Sequence, residues 1–113
     1  MVNHPKYQIY QGNNDKFYFR LTASNGQSIL SSQGYAAKAG CKNGIESVKN
    51  NGTSTDRFEV KEAANGKFYF NLLAANKQVI GTSQMYANKQ TCQNGIEAVQ
   101  RVAAEAGVED TTA

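Results

Sequence analysis

The run Lys16-Phe17-Tyr18-Phe19-x-Leu21 returns about 51 residues later as Lys67-Phe68-Tyr69-Phe70-x-Leu72. The echo continues without a gap to Asn43-Gly44-Ile45-Glu46-x-Val48 and Asn94-Gly95-Ile96-Glu97-x-Val99, with about 20 of some 34 aligned positions identical. Repetition at this level marks a tandem duplication. A unit this short cannot bury its own apolar face, so the halves must complete each other in one pseudo-symmetric domain. The 113 residues are an ordinary size for one such domain.

Within each copy the apolar period changes once. Tyr7-Gln8-Ile9-Tyr10 alternates as a half-buried strand does. After the turn-forming Gly12-Asn13-Asn14-Asp15, a second strand puts Phe17, Phe19, Leu21 and Ala23 on one face and Tyr18, Arg20 and Thr22 on the other. Asn25-Gly26 is a hairpin signal of type I′, which needs positive φ at both central residues, and Gln27 to Ser31 makes a third strand. Ala37, Cys41, Ile45 and Val48 then recur at helical spacing, and Gly52 is placed for a left-handed helix end. The second copy repeats the plan with strands at Phe58 to Lys61, Phe68 to Ala75 and Gln78 to Thr82, and a helix from about Ala87 to Val102. Asn65-Gly66 is expected to make a tighter hairpin than Gly12–Asp15, and Asn76-Lys77 to turn less readily than Asn25-Gly26.

The predicted fold is α+β: two tandem β3-α repeats forming a single antiparallel sheet of six strands, both helices on the face carrying Phe17, Phe19, Phe68 and Phe70. The domain spans residues 1–103, with repeat one at about 6–52 and repeat two at about 57–103. Residues 104–113 lack a sustained apolar stripe and are expected to form a flexible acidic tail.

No apolar run is long enough for a membrane span, and Met1 to Lys6 carry no apolar signal core, so a cytoplasmic location is expected. Removing the acidic tail leaves twelve bases against six acids, a surplus that can attract phosphate-rich partners. Cys41 and Cys92 hold equivalent places on the two helical stripes, as buried free thiols or as one disulfide. Without a CxxC, and with His4 as the only histidine, no metal site and no cofactor are predicted. Lying in an N-terminal stretch expected to be mobile, His4 leaves every serine without a triad partner, and no phosphate-binding glycine loop occurs.

The Lys-Phe-Tyr-Phe-x-Leu strand, the Ser-Gln-x-Tyr approach to the helix (Ser32 to Tyr35, Ser83 to Tyr86) and the Asn-Gly-Ile-Glu-x-Val segment resemble the YegP-like family. These are small bacterial and archaeal proteins of unknown function, and the likeness covers about residues 7 to 102. The resemblance implies a β3-α unit in tandem, one shared sheet and helices exchanged between the halves. It brings no catalytic residue or ligand. This chain departs from its own repeat where Gly81 stands for Leu30 and Lys77 for the turn glycine.

Three groups of residues are candidates for function. Asn43, Gly44, Asn94 and Gly95 form an unusual Asn-Gly pair in each helix. Gly44 and Gly95 are read as letting the helix lie close to its neighbours, and Asn43 and Asn94 as bonding nearby backbone; a ligand role is the alternative. Glu46 and Glu97 are paired carboxylates, read as a solvated helix face on which Glu97 meets Arg101. On the sheet face opposite the phenylalanines, Tyr10, Tyr18, Tyr69, Arg20, Lys61 and Asn71 are the predicted binding residues. The expected function is that of a non-enzymatic protein-interaction module, monomeric as an internal pseudo-dimer. The alternatives are single-stranded nucleic-acid binding through the tyrosines and basic residues, and an enzyme with Asn43, Glu46, Asn94 and Glu97 in a pocket between the helices.

Overall fold

The computed structural model describes residues 4–112, so Met1, Val2, Asn3 and Ala113 of the segments discussed above lie outside the described residues. The elements are β1 (Lys6–Gln11), β2 (Phe17–Thr22), β3 (Ser28–Ser31), α1 (Lys38–Asn51), β4 (Phe58–Glu62), β5 (Phe68–Leu73), β6 (Val79–Thr82), α2 (Lys89–Val102) and β7 (Gly107–Asp110). They form one sheet in the order β4-β5-β6-β3-β2-β1-β7. The six repeat strands pair antiparallel, and the halves join where Ser31 of β3 faces Thr82 of β6. An internal two-fold axis runs through that seam.

Alternation buries Tyr7, Ile9, Phe19, Leu21, Phe70 and Leu72 on one face, against Cys41, Ile45 and Val48 of α1 and Cys92, Ile96 and Val99 of α2. The α1 helix lies over β2 of its own repeat and over β5 and β6 of the other, while α2 lies over β5 and β3. The helices are thus exchanged across the seam, and neither half has a core without the other. Phe17 and Phe68 sit half-buried at the rim, each beneath a lysine ammonium, Lys38 at 5.9 Å and Lys89 at 5.8 Å.

All four hairpins use one turn. In each, a loop of three residues closes with its third residue at positive φ: Asp15 (64°), Gly26 (85°), Gly66 (81°) and Lys77 (70°). The residue before it is always asparagine, and Asn14, Asn25, Asn65 and Asn76 each accept a hydrogen bond from the backbone N–H two residues on. This is a type I turn with a glycine-type bulge rather than the type I′ turn expected at Asn25-Gly26. Nor is the Asn65-Gly66 hairpin tighter than its counterpart, since Gly12 and Ala63 close the same ring. At Asp15 and Lys77 a side chain tolerates the left-handed conformation because the asparagine bond and the paired strands hold it there. Gly52 departs from expectation too. It ends α1 in a right-handed conformation, and glycine is required because a Cβ there would lie 2.6 Å from Val48 O and 2.8 Å from Ala103 Cβ.

The tail is the largest correction. Instead of fraying, Gly107–Asp110 adds to β1 in parallel, which makes the sheet seven-stranded and mixed. Lys6 reaches Glu109 at 2.9 Å on one face, Lys38 reaches Asp110 at 2.9 Å on the other, and Ile9 O accepts bonds from Thr111 N–H and Oγ1. Charge and main-chain bonds hold this strand, and neither leaves a mark in apolar periodicity. His4 is also tied down: its Nδ1 lies 2.7 Å from Thr22 Oγ1, and its ring packs on Gly26.

Candidate functional site

Both helices cover one face of the sheet, and neither helix covers the other face, on which the strand side chains are laid out. Register places seven of them in a row across every strand: Glu59, Asn71, Thr82, Ser31, Arg20, Gln8 and Glu109. Thr82 donates to Asn71 Oδ1 at 2.8 Å, and Gln8 Nε2 to Glu109 Oε1 at 3.3 Å. Hydrogen bonds from Lys6 and Gln8 hold the Glu109 carboxyl below its usual range.

The predicted tyrosines flank this row. On one side Tyr10 and Tyr18 face each other across β1 and β2 and stack, with ring centroids 5.6 Å apart and planes 16° off parallel. The Arg20 guanidinium lies over the Tyr10 ring at 4.3 Å. Its Nε–H is buried without an acceptor, so the ring and not a hydrogen bond holds the side chain. Tyr18 in turn accepts from Asn14 Nδ2 at 3.0 Å. On the other side Lys61 faces Tyr69, and Asn71 is buried beside them. The two-fold axis sets Tyr18 and Tyr69 on opposite sides of the row. The six predicted residues therefore form two clusters of three, not one patch.

The row itself was missed. Strand alternation already puts Gln8 with Tyr10 and Glu59 with Lys61, but which strands adjoin, and in what register, is not written locally in the chain.

The helix candidates do not converge. Asn43, Glu46, Asn94 and Glu97 are all exposed. Glu46 alone of the four lines a groove, of about 270 Å³, between α1 and β7 with Lys42, Ile45 and Val108. A second cleft, of about 330 Å³, opens beside the start of β4 and includes none of them. Asn94 accepts from the Gln90 side chain at 3.2 Å rather than from backbone, and no ion pair joins Glu97 to Arg101. Gly44 and Gly95, in contrast, have a steric role. A Cβ on Gly44 would lie 2.9 Å from Tyr35 Cζ and 3.0 Å from Phe19 Cε2, and one on Gly95 would lie 2.7 Å from Tyr86 Cζ. Cys41 and Cys92 are free and buried, and desolvation raises both thiol pKa values, Cys41 to about 11. Among the described residues no group of three His, Cys, Asp or Glu is placed to hold a metal ion, and no helix is long and apolar enough to cross a membrane.

Comparison with known proteins agrees with this architecture. The model of the domain of unknown function DUF1508 matches twice, over residues 13–59 and 63–110. A UPF0339 protein from the ptx operon 5′ region of Stutzerimonas stutzeri is 49% identical over 102 residues, covering 90% of this chain and 92% of its own. The UPF0339 protein YegP of Escherichia coli K12 is 43% identical over 106 residues, covering 94% and 96%. The solution NMR structure of yegP from E. coli superposes with a TM-score of 0.90 at 40% identity, covering 98% of this chain and 96% of that one. A UPF0339 protein from Shewanella oneidensis gives 0.87 at 44% identity, covering 93% and 89%. With both repeats matched, and with the sheet and exchanged helices shared, the chain belongs to the DUF1508 family of YegP-like UPF0339 proteins, whose function is unknown.

Proposed function

We propose that this protein is a non-enzymatic binding module that recognises a protein partner through the uncovered face of its sheet. The observation that carries this reading is the ordered stack of Tyr18, Tyr10 and Arg20. Tyrosine and arginine are among the residues enriched at the hot spots of protein interfaces, and here they are already held in place, so little side-chain entropy is lost on binding. The charge of the face favours protein over nucleic acid. Of its strand cations, Lys6 is paired with Glu109 and Lys61 with Glu59 at 3.6 Å, which leaves Arg20 as the strand cation without a carboxylate among the described residues. A strand of phosphates needs more free positive charge than that. The helix residues are exposed and scattered, and Glu46 lines its groove without the other three, so the enzyme reading has no shared pocket. Since each half completes the other's core, the protein acts as a monomer.

The test is affinity capture on immobilised protein, with proteins and nucleic acids both identified. Wild type is expected to retain a protein from a native extract that Tyr10→Ala and Arg20→Glu lose, at unchanged melting temperature. Equal retention by the variants, or retention abolished by nuclease, would overturn the reading. A direct titration with single-stranded DNA and RNA at low salt checks the alternative. Stacking there would contribute about 1–3 kcal/mol per tyrosine and fall steeply with salt.

A further inference from the structure

The internal two-fold axis makes β4 the counterpart of β1, yet among the described residues only β1 has a strand on its outer edge. The consequences are visible residue by residue. Ile9 is fully buried under β7 whereas its counterpart Val60 is 42% exposed, and Tyr7 is buried whereas Phe58 is only partly so. Ile9 O bonds to Thr111, so at the equivalent position the main-chain groups of Val60 point outward, where no strand of the described residues meets them.

The side chain that receives the tail is duplicated as well. Lys38 lies over Phe17 at 5.9 Å and from there holds Asp110 at 2.9 Å. Lys89 lies over Phe68 at 5.8 Å, the same pose, with no carboxylate in ion-pair range among the described residues. A cleft lies at the start of β4, between Arg57, Phe58 and Leu73.

We infer that the outer edge of β4 is a docking site for an extended segment of a partner protein, which adds as an eighth strand parallel to β4. The residues around the edge specify its chemistry. A small apolar residue lies beside Phe58, as Val108 stands beside its counterpart Tyr7 in the β1–β7 pair. A carboxylate reaches Lys89 as Asp110 reaches Lys38. Between them the match must differ from β7. Glu59 stands where Gln8 receives Glu109, and Arg57, at the place of Lys6, donates its Nε–H to Asn51. An acidic residue there would be repelled, so the segment carries a basic one. Recognition through main-chain bonds with alternating side-chain pockets is the usual mode of strand addition. Glu59, Lys61 and Glu62 along the edge meanwhile discourage two copies from pairing β4 to β4. This edge is separate from the face bearing Tyr10, Tyr18 and Arg20, and the inference stands or falls without it.

The probe is an acetylated peptide, Ala-Gly-Val-Lys-Asp-Thr, titrated to millimolar concentration into the isotope-labelled full chain while amide resonances are followed. Saturable shifts are expected at Phe58–Glu62 and near Lys89. Lys89→Glu should weaken binding about tenfold or more, as should changing the peptide's lysine to glutamate. Val60→Pro removes the outward N–H of an edge strand, which such strands tolerate, and should abolish binding with the rest of the spectrum unchanged. Absence of shifts on β4, or equal binding by Lys89→Glu, overturns the proposal. So does a dimer joined through β4 in the absence of peptide, which would make a second copy the occupant.

Discussion

Leu30 and Gly81 hold equivalent positions on either side of the internal two-fold axis, and the leucine fills the space that a side chain on the glycine would need. A Cβ on Gly81 would lie 2.7 Å from Leu30 Cγ and 2.9 Å from its Cδ2. The duplicated sequence therefore had to become unequal at this one layer of the core.

Gly81→Ala should then destabilise the protein by about 1–3 kcal/mol through overpacking against a buried, rigid neighbour. Leu30→Ala alone should cost about 2–5 kcal/mol. Moving the leucine across the axis, as Leu30→Gly with Gly81→Leu, should recover much of the loss in urea unfolding. Strictly additive effects in this cycle would contradict the shared-space account.

In each helix the mid-helix glycine sits beneath a tyrosine ring. Gly44→Ala gains about 1 kcal/mol of helix propensity but forces Tyr35 and Phe19 to move, and Gly95→Ala does the same to Tyr86 and Phe70. Each variant should be less stable by about 1–2 kcal/mol net. Tyr35→Phe in the Gly44→Ala background should relieve part of this, because the hydroxyl makes the closest approach. A more stable Gly44→Ala protein would show that the helix shifts freely.

The β7 strand should respond to acid. Bonds from Thr112 and Lys38 hold the Asp110 carboxyl well below its usual range, and Lys6 and Gln8 lower Glu109. A carboxylate with a depressed folded-state pKa contributes stability that is complete above its unfolded pKa and is lost as pH falls through the folded one. Amide exchange at Val108 to Asp110 should therefore accelerate below about pH 4, before the central strands open. Lys38→Ala should speed exchange there already at neutral pH and flatten its acid dependence. Uniform protection of β7 and β2 down to global unfolding would contradict this.

Cys41 and Cys92 should label slowly in the native protein. Both are fully buried, and desolvation raises their pKa values, leaving little thiolate at neutral pH. Labelling should follow the opening of the helices and reach both positions together in denaturant. Rapid modification of native protein at either position would overturn this.

The sequence by itself determined the repeat, the strand alternation, the two helices and the face each phenylalanine takes, because periods of two and of about 3.6 residues are local properties of a chain. It also placed Gly44 and Gly95 in close packing, since glycine in mid-helix is costly without a reason. Only the tertiary structure decided the turn type at Asn25-Gly26, which depends on strand register, and the crowding that Ala103, at the end of the other helix, imposes on Gly52. It alone joined β7 to β1, through Lys6, Lys38 and Ile9, residues about 70 to 100 positions away in the chain. It also divided the predicted tyrosine surface, setting Tyr18 with Tyr10 and Arg20 and leaving Tyr69 with Lys61 and Asn71 on the other side of the two-fold axis. Alternation fixes which face a side chain takes, but a two-fold axis fixes who its neighbours are, and that axis exists only once the two halves have met.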